Sequence, residues 1–196
     1  MEDPSCSSNP TLFLVAATVH AGEENYVEAL KCANAGNPTL DMMAISVASY
    51  LKIDRPDYAE KQVKAMAAVD DDATLTQLSM AWTNLALGGA KVQEAFYIFQ
   101  ELGEKNTWTA KLLVGNAAAH MLMGQYDEAE RDLLDALQKD SKDVDALANL
   151  VVCSHHLGKP TSRYVNQLTM ADGKHPILAR RDEFSKAFDV AASSYQ

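Results

Sequence analysis

An all-α chain is predicted by three features of the sequence. Ala95 and Ala129 lie 34 residues apart in matching apolar frames, Val92/Ala95/Phe99/Leu102 and Tyr126/Ala129/Leu133/Ala136. Each frame follows a helix-sized segment ending in glycine, at Gly88 and Gly124. Alanines 29, 59, 95 and 129 recur at spacings of 30, 36 and 34. That period is the one of tetratricopeptide-like helical hairpins, which stack into a right-handed α-solenoid. A solenoid wall holds another polypeptide, so a partner rather than a reaction is the expected function.

Residues 1–9 read as a disordered stub, 10–172 as a solenoid of about five helix pairs, and 173–196 as a C-terminal capping helix. Phe13, Ala16, Ala17 and His20 mark the first helix, and Tyr26 with Ala29 mark its partner. The apolar run at residues 12–17 resembles a signal peptide only superficially. The first lysine is Lys31 and the chain opens with Glu2 and Asp3, so the basic region such a signal needs is missing. Leu40, Met43, Val47 and Tyr50 begin the second pair, and Ala59, Val63 and Met66 complete it after Pro56, a residue suited to a first helical turn.

The third pair runs from Thr74 to Gly88 and from Val92 to Leu102. The fourth, residues 109–143, is the clearest: Leu113, Ala117 and His120 share one face, and Ala129, Leu133 and Ala136 answer them. Asp127, Glu128 and Glu130 stand in the first turn of its second helix, where they favour the positive end of the dipole. Leu147, Leu150, Val151 and Ser154 open the fifth pair, and Gly158 falls 34 residues after Gly124. After Pro160 the frame loosens over Tyr164, Val165, Leu168 and Met170, as expected of a terminal repeat. The recurring alanine has a physical reason, since helices crossing at close range leave no room beyond a methyl group.

No catalytic or metal constellation is expected, and no cofactor. Asp70, Asp71 and Asp72 precede a helix beginning near Ala73, where aspartate caps free amides and opposes the dipole. No glycine-turned loop or distant glutamate completes a cation site around them. His155 and His156 are adjacent, so on a helix they diverge by about 100° and cannot share an ion. Cys153 beside them has no third group to orient a base. The run Gly88-Gly89-Ala90-Lys91 lacks the spacing and the following hydroxyl of a phosphate loop. Three cysteines at no metal or redox spacing fit a reducing compartment, so a cytoplasmic protein is expected.

The formal charge is −10, which weighs against a nucleic-acid partner. From Lys159 onward six basic residues meet four acidic ones, so the tail is near +2 and the remainder near −12. No run approaches the roughly 20 apolar residues needed to span a bilayer, so membrane association is expected only through a partner.

The side of each first helix opposite its packing stripe is expected to form a partner-binding groove. Its predicted residues are Ala44, Ala48 and Leu51 in the second pair and Met80, Asn84 and Leu87 in the third. Lys111, Val114, Ala118, Met121 and Leu122 follow in the fourth, and Asp145, Ala148, Val152, His155 and His156 in the fifth. Mostly apolar, this wall suits an extended partner. A chaperone-type adaptor gripping an acidic peptide needs several inward cations or amides, and only Lys111 and Asn84 qualify.

Several stretches carry more than generic repeat positions. They include residues 71–78 with Ala81-Trp82, residues 88–101, Gly124-Gln125-Tyr126 with Glu128-Ala129-Glu130, and Asn149-Leu150-Val151-Val152 with His156-Leu157-Gly158-Lys159. Arg163-Tyr164, Gln167-Leu168 and His175-Pro176 extend the match. In these stretches, polar residues such as Thr76, Gln77, Gln100 and Lys159 included, the chain closely resembles the epsilon subunit of coatomer from about Asn9 onward. The resemblance implies a non-enzymatic solenoid that curls around the C-terminal domain of the coatomer alpha subunit and stabilises it. It further implies contact with other coatomer subunits and a role in Golgi-to-ER retrograde and intra-Golgi vesicle transport. The expected place is the cytoplasm, peripheral on Golgi membrane and COPI-coated vesicles, with recruitment through the coat and a small GTPase. Members of that family carry several further N-terminal helices, which this chain is expected to lack. From the general repeat pattern the chain departs at Leu113 and Leu147, where tryptophan is frequent, and at Ser141, where proline often ends the second helix.

Overall fold

The computed structural model describes residues 9–35 and 38–194. All but Asn9 of the expected N-terminal stub lies outside the described residues. Among these, the secondary structure is entirely helical: α1 Pro10–Gly22, α2 Tyr26–Ala33, α3 Leu40–Lys52, α4 Pro56–Val69, α5 Thr74–Leu87 and α6 Lys91–Lys105. Then follow α7 Ala110–Leu122, α8 Tyr126–Lys139, α9 Val144–His156, α10 Ser162–Ala171 and α11 Pro176–Ser193. The chain divides into two compact units, residues 1–102 and 103–196.

In the first unit α1 packs on α2 and α3 on α4, while α1, α3 and α5 lie side by side. Met43 and Val47 of α3 close on Ala59, Val63 and Met66 of α4, and Ala17, Ala33 and Met42 form a neighbouring cluster under Phe13 and Leu14. On α6, Val92, Ala95, Phe99 and Leu102 are buried, with the Trp82 ring meeting Phe99 edge-on at 5.4 Å between centroids. In the second unit α7 packs on both α8 and α9, and α9 on α10. Leu113 and Ala117 meet Ala129, Leu133, Ala136 and Leu150. Leu147, Ala148, Leu168 and Leu178 make a second cluster, which is where α11 is anchored. The Trp108 ring lies so close over buried Gly103 that a Cβ there would overlap it.

Ala29, Ala59, Ala95 and Ala129 are all fully buried, each on the second helix of its pair. The turns between paired helices also repeat. Asn25, Arg55, Gln125 and Lys159 each donate a backbone N–H to the carbonyl five residues back, at His20, Tyr50, His120 and Ser154, over 2.8–2.9 Å. The residue before each donor is left-handed, and the pattern is a helix end closed through an αL residue. Gly124 (φ 76°) and Gly158 (φ 68°) adopt that conformation freely, whereas Glu24 (φ 60°) and Asp54 (φ 56°) adopt it against the Cβ clash.

A different turn joins one pair to the next. Asp70, Asp140 and Asp172 end α4, α8 and α10, and each carboxylate accepts the N–H two residues on, at 3.1, 3.0 and 3.0 Å. These are Asx turns, which mimic a backbone turn with a side chain. The expectation that Asp70–Asp72 would cap the following helix is therefore corrected. Ala73 is the N-cap of α5 and has no side-chain capping bond, while Asp70 closes the helix before it. Genuine side-chain caps stand at Asn9, Thr39, Thr109, Asp143 and His175.

Two measurements check this account. Ala129→Phe overpacks the α7/α8 crossing and should lower unfolding free energy by about 1–3 kcal/mol in urea titration; an unchanged midpoint contradicts the crossing. Gly124→Ala places a Cβ at positive φ and should cost about 1–2 kcal/mol, while Glu24→Gly should not destabilise, since relief of the same clash offsets the backbone entropy of glycine.

Candidate functional site

The face opposite the packing stripe is built separately in each unit. In the first unit, Ala44 and Ala48 of α3 line a shallow cleft of about 420 Å³ together with Leu14 and Thr18 of α1 and Leu75 of α5. Leu51 is half-buried against the α3/α4 cluster. On α5 the expected rotation is off. Met80 turns toward the α3/α4 cluster, and buried Asn84 donates its amide to Glu94 of α6 at 3.4 Å. Leu75, a residue missed by sequence reasoning, is the α5 side chain that joins α1 and α3, and Leu87 is exposed near the C-terminal end of the helix.

In the second unit, Lys111, Ala118 and Leu122 lie one to two turns apart along α7 with at least part of their surface open, Leu122 being 59% exposed. Met121 is half-buried against the α7/α8 core. Val114 is only 3% exposed and belongs to that core, so its expected place on the groove is corrected. On α9, Asp145, His155 and His156 are exposed and Val152 is half-exposed. Ala148, 7% exposed, packs with Leu168 and Leu178 instead of facing outward. The cause is common to Asn84, Val114 and Ala148: each of these helices is covered on two sides, so the open strip is narrow and one residue of rotation reaches the core.

The polar groups of this face are largely committed. The Lys111 ammonium donates to Asp145 at 2.8 Å and pairs with Asp143 at 3.0 Å, which raises its pKa, the bond to Asp145 being the main cause. Asp143 in turn caps α9, accepting the Ala146 N–H at 2.9 Å. His156 stacks on Tyr126 with centroids 4.2 Å apart and planes at 8°. The Cys153 thiol donates to the Tyr126 carbonyl at 3.0 Å, and burial pushes its pKa up, away from the nucleophilic thiolate. Lys159 pairs with Glu130 across the α8–α9 packing.

Asp132 of α8 is a half-buried carboxylate. Burial raises its pKa, opposed by the Asn116 amide at 2.7 Å and by His120 at 3.7 Å. Among the described residues no group of three or more His, Cys, Asp or Glu side chains converges as a metal site would require. Nor is any helix of the described residues long and apolar enough to cross a membrane.

The family model for the coatomer epsilon subunit matches residues 1–196. Coatomer subunit epsilon-1 of Oryza sativa subsp. japonica is 46% identical over 196 residues, covering 98% of this chain and 68% of the rice protein. Coatomer subunit epsilon-1 of Arabidopsis thaliana is 46% identical over 195 residues, covering 100% of this chain and 66% of its own length. The chain thus spans about two thirds of these plant relatives. A tetratricopeptide-repeat protein of Thermus thermophilus superposes with a TM-score of 0.74 at 16% identity, covering 88% of this chain and 96% of that one. At that identity the likeness concerns the fold alone, and it is the tetratricopeptide type.

The raised pKa of Asp132 gives a signed prediction. An acid whose folded pKa lies above its unfolded value of 3.8 contributes stability below that value and loses it as pH rises through the folded pKa. Asp132→Asn removes this loss. Its melting temperature relative to wild type should therefore climb as pH rises from below 3.8 through the folded pKa; a flat difference overturns the assignment.

Proposed function

The chain belongs to the coatomer epsilon subunit family, and from that premise we propose that it is a non-enzymatic structural subunit of the COPI coat. In this reading it binds the C-terminal domain of the alpha subunit and stabilises it, and it supports Golgi-to-ER retrograde and intra-Golgi transport. It works in the cytoplasm, reaching Golgi membrane and coated vesicles only through its partners.

The observation that carries the reading is the apolar strip on first helices that the fold leaves open. Ala44 and Ala48 in the first unit, and Ala118, Leu122 and Val152 in the second, are small or aliphatic side chains with exposed surface where a solenoid holds a ligand. Burying them against a partner gives affinity without chemistry at the site. The acidic character of the chain before Lys159 selects against nucleic acid and anionic lipid.

The alternative, a generic adaptor gripping an acidic peptide of a chaperone, loses its two candidate clamps. Lys111 is held by Asp143 and Asp145, and Asn84 is buried against Glu94.

Co-purification with the alpha subunit's C-terminal domain tests the proposal. Leu122→Glu together with Val152→Glu should weaken the complex at least about tenfold, by placing charges against apolar surface, while each variant keeps its helical circular dichroism. No complex with wild type, or one indifferent to the paired substitution, overturns the reading. Val114→Glu is unsuitable, because it charges the core.

A further inference from the structure

The proposed wall ends, in the second unit, at a cleft of about 470 Å³ framed by α9, α10 and the first two turns of α11. Val152, Val165, Ile177 and Leu178 are among its apolar lining, and His155, Thr161, Ser162 and Arg181 are among its polar lining, with no acidic side chain on its walls. Beyond its first turn α11 is exposed throughout the described residues, and Phe184 and Phe188 are 73% and 72% exposed. Helical spacing puts Ile177, Phe184 and Phe188 on one face, a track about 16 Å long leading out of the cleft.

The charge around the cleft differs from the rest of the chain: α11 is balanced, Arg180, Arg181 and Lys186 against Asp182, Glu183 and Asp189, and the positive excess lies just before it at Lys159, Arg163 and Lys174. The segment from Lys159 onward is near +2 in a protein of −10. The Arg181 guanidinium reaches Asp182, its neighbour on the same helix, at 2.9 Å, with both side chains more than half exposed. Such a surface pair is worth little and exchanges readily for a partner carboxylate. An arginine fork and two hydroxyls at the mouth of an apolar cleft are the donors that a carboxylate beside an apolar side chain requires.

We propose that this cleft and the α11 track dock an acidic segment of a protein partner, roughly five to ten residues long, in which aliphatic or aromatic side chains are flanked by carboxylates. The apolar side chain fills the cleft against Val152, Val165 and Ile177. A flanking carboxylate replaces Asp182 on Arg181, and a second apolar residue covers Phe184 and Phe188. The inference rests on the reading that the open face of the first helices holds a partner, and it names the chemistry at one end of that face.

The test uses the whole chain, isotope-labelled for amide NMR, with three peptides of roughly ten residues. One carries two phenylalanines flanked by glutamates, one replaces the glutamates by lysines, and one replaces the phenylalanines by glycines. The acidic apolar peptide should shift the amides of Val152, Val165 and Ile177. The lysine and glycine peptides, and the acidic peptide on Arg181→Glu, should each bind at least about tenfold more weakly. Equal binding of the lysine peptide overturns the proposal, as do shifts confined to other helices, indifference to Arg181→Glu, or preferential capture of phosphatidylserine vesicles over the peptide. Failure of the alpha-subunit domain to co-purify while the acidic peptide still binds here removes the coat reading and not this site. Loss of peptide binding with an intact alpha-subunit complex removes this site alone.

Discussion

The contact on which the remainder of the structure depends is the crossing of two helices at a side chain no larger than a methyl group. Ala29, Ala59, Ala95 and Ala129 each occupy that point, fully buried. Four and seven residues further on, Val63 and Met66, Phe99 and Leu102, and Leu133 and Ala136 fill the same strip, the buried face of each second helix being one row wide. The rest of a second helix is left to charge, as α8 shows with Asp127, Glu128, Arg131, Asp135 and Lys139 exposed. A first helix is treated differently. α7 has α8 on one side and α9 on the other, and its middle is accordingly Gly115, Asn116, Ala117, Ala118 and Ala119, small enough for two close neighbours. The one open strip that survives between two covered sides is where a partner can reach.

That asymmetry decides what the sequence discloses. Second helices have one buried row and a strong period, so the frames at Ala95 and Ala129 announce themselves, and from them the number and order of the helix pairs. First helices bury residues on most of their circumference, which blurs the period. Asn84, Val114 and Ala148 consequently fall on the core side of an edge that the pattern alone does not mark, while Ala118, Leu122, Val152 and His155 fall on the open side. Leu75 reaches the α1/α3 cleft for the same reason, from a helix position that the stripe argument passes over.

Turn chemistry was legible only where glycine performs it. Gly124 and Gly158 advertise a left-handed residue, yet Glu24 and Asp54 hold the same conformation and the same closing hydrogen bond. Nothing in a charged linker distinguishes a residue held left-handed by its surroundings from one free to avoid that region. The aspartates between pairs pose the mirror problem. Carboxylates beside a helix start suggest caps, but Asp70 has an extended backbone, φ −160° and ψ 104°, that turns its oxygen onto Asp72 and ends the preceding helix. At Asp143 the same residue type does cap, with φ −60° and ψ 113° bringing its carboxylate to the Ala146 N–H. Backbone position relative to the turn, rather than residue type, selects between the two roles.

Electrostatics then separates the kinds of partner that the open strip can hold. Lys111 is the one cation predicted for the strip, and two carboxylates of the next pair already neutralise it, Asp143 being itself buried and engaged as a cap. A ligand carboxylate would have to draw Lys111 away from Asp143, a buried carboxylate fixed in place by its capping bond, and so would leave a buried charge without its cation. An apolar ligand surface meets no such competition along Ala118, Leu122 and Val152. Arg181 stands in the opposite situation, because its neighbour Asp182 is exposed and caps nothing. Along the second unit, therefore, apolar contact is favoured over the middle of the face, and the site proposed for a carboxylate is at Arg181, whose own ion pair is exposed to solvent.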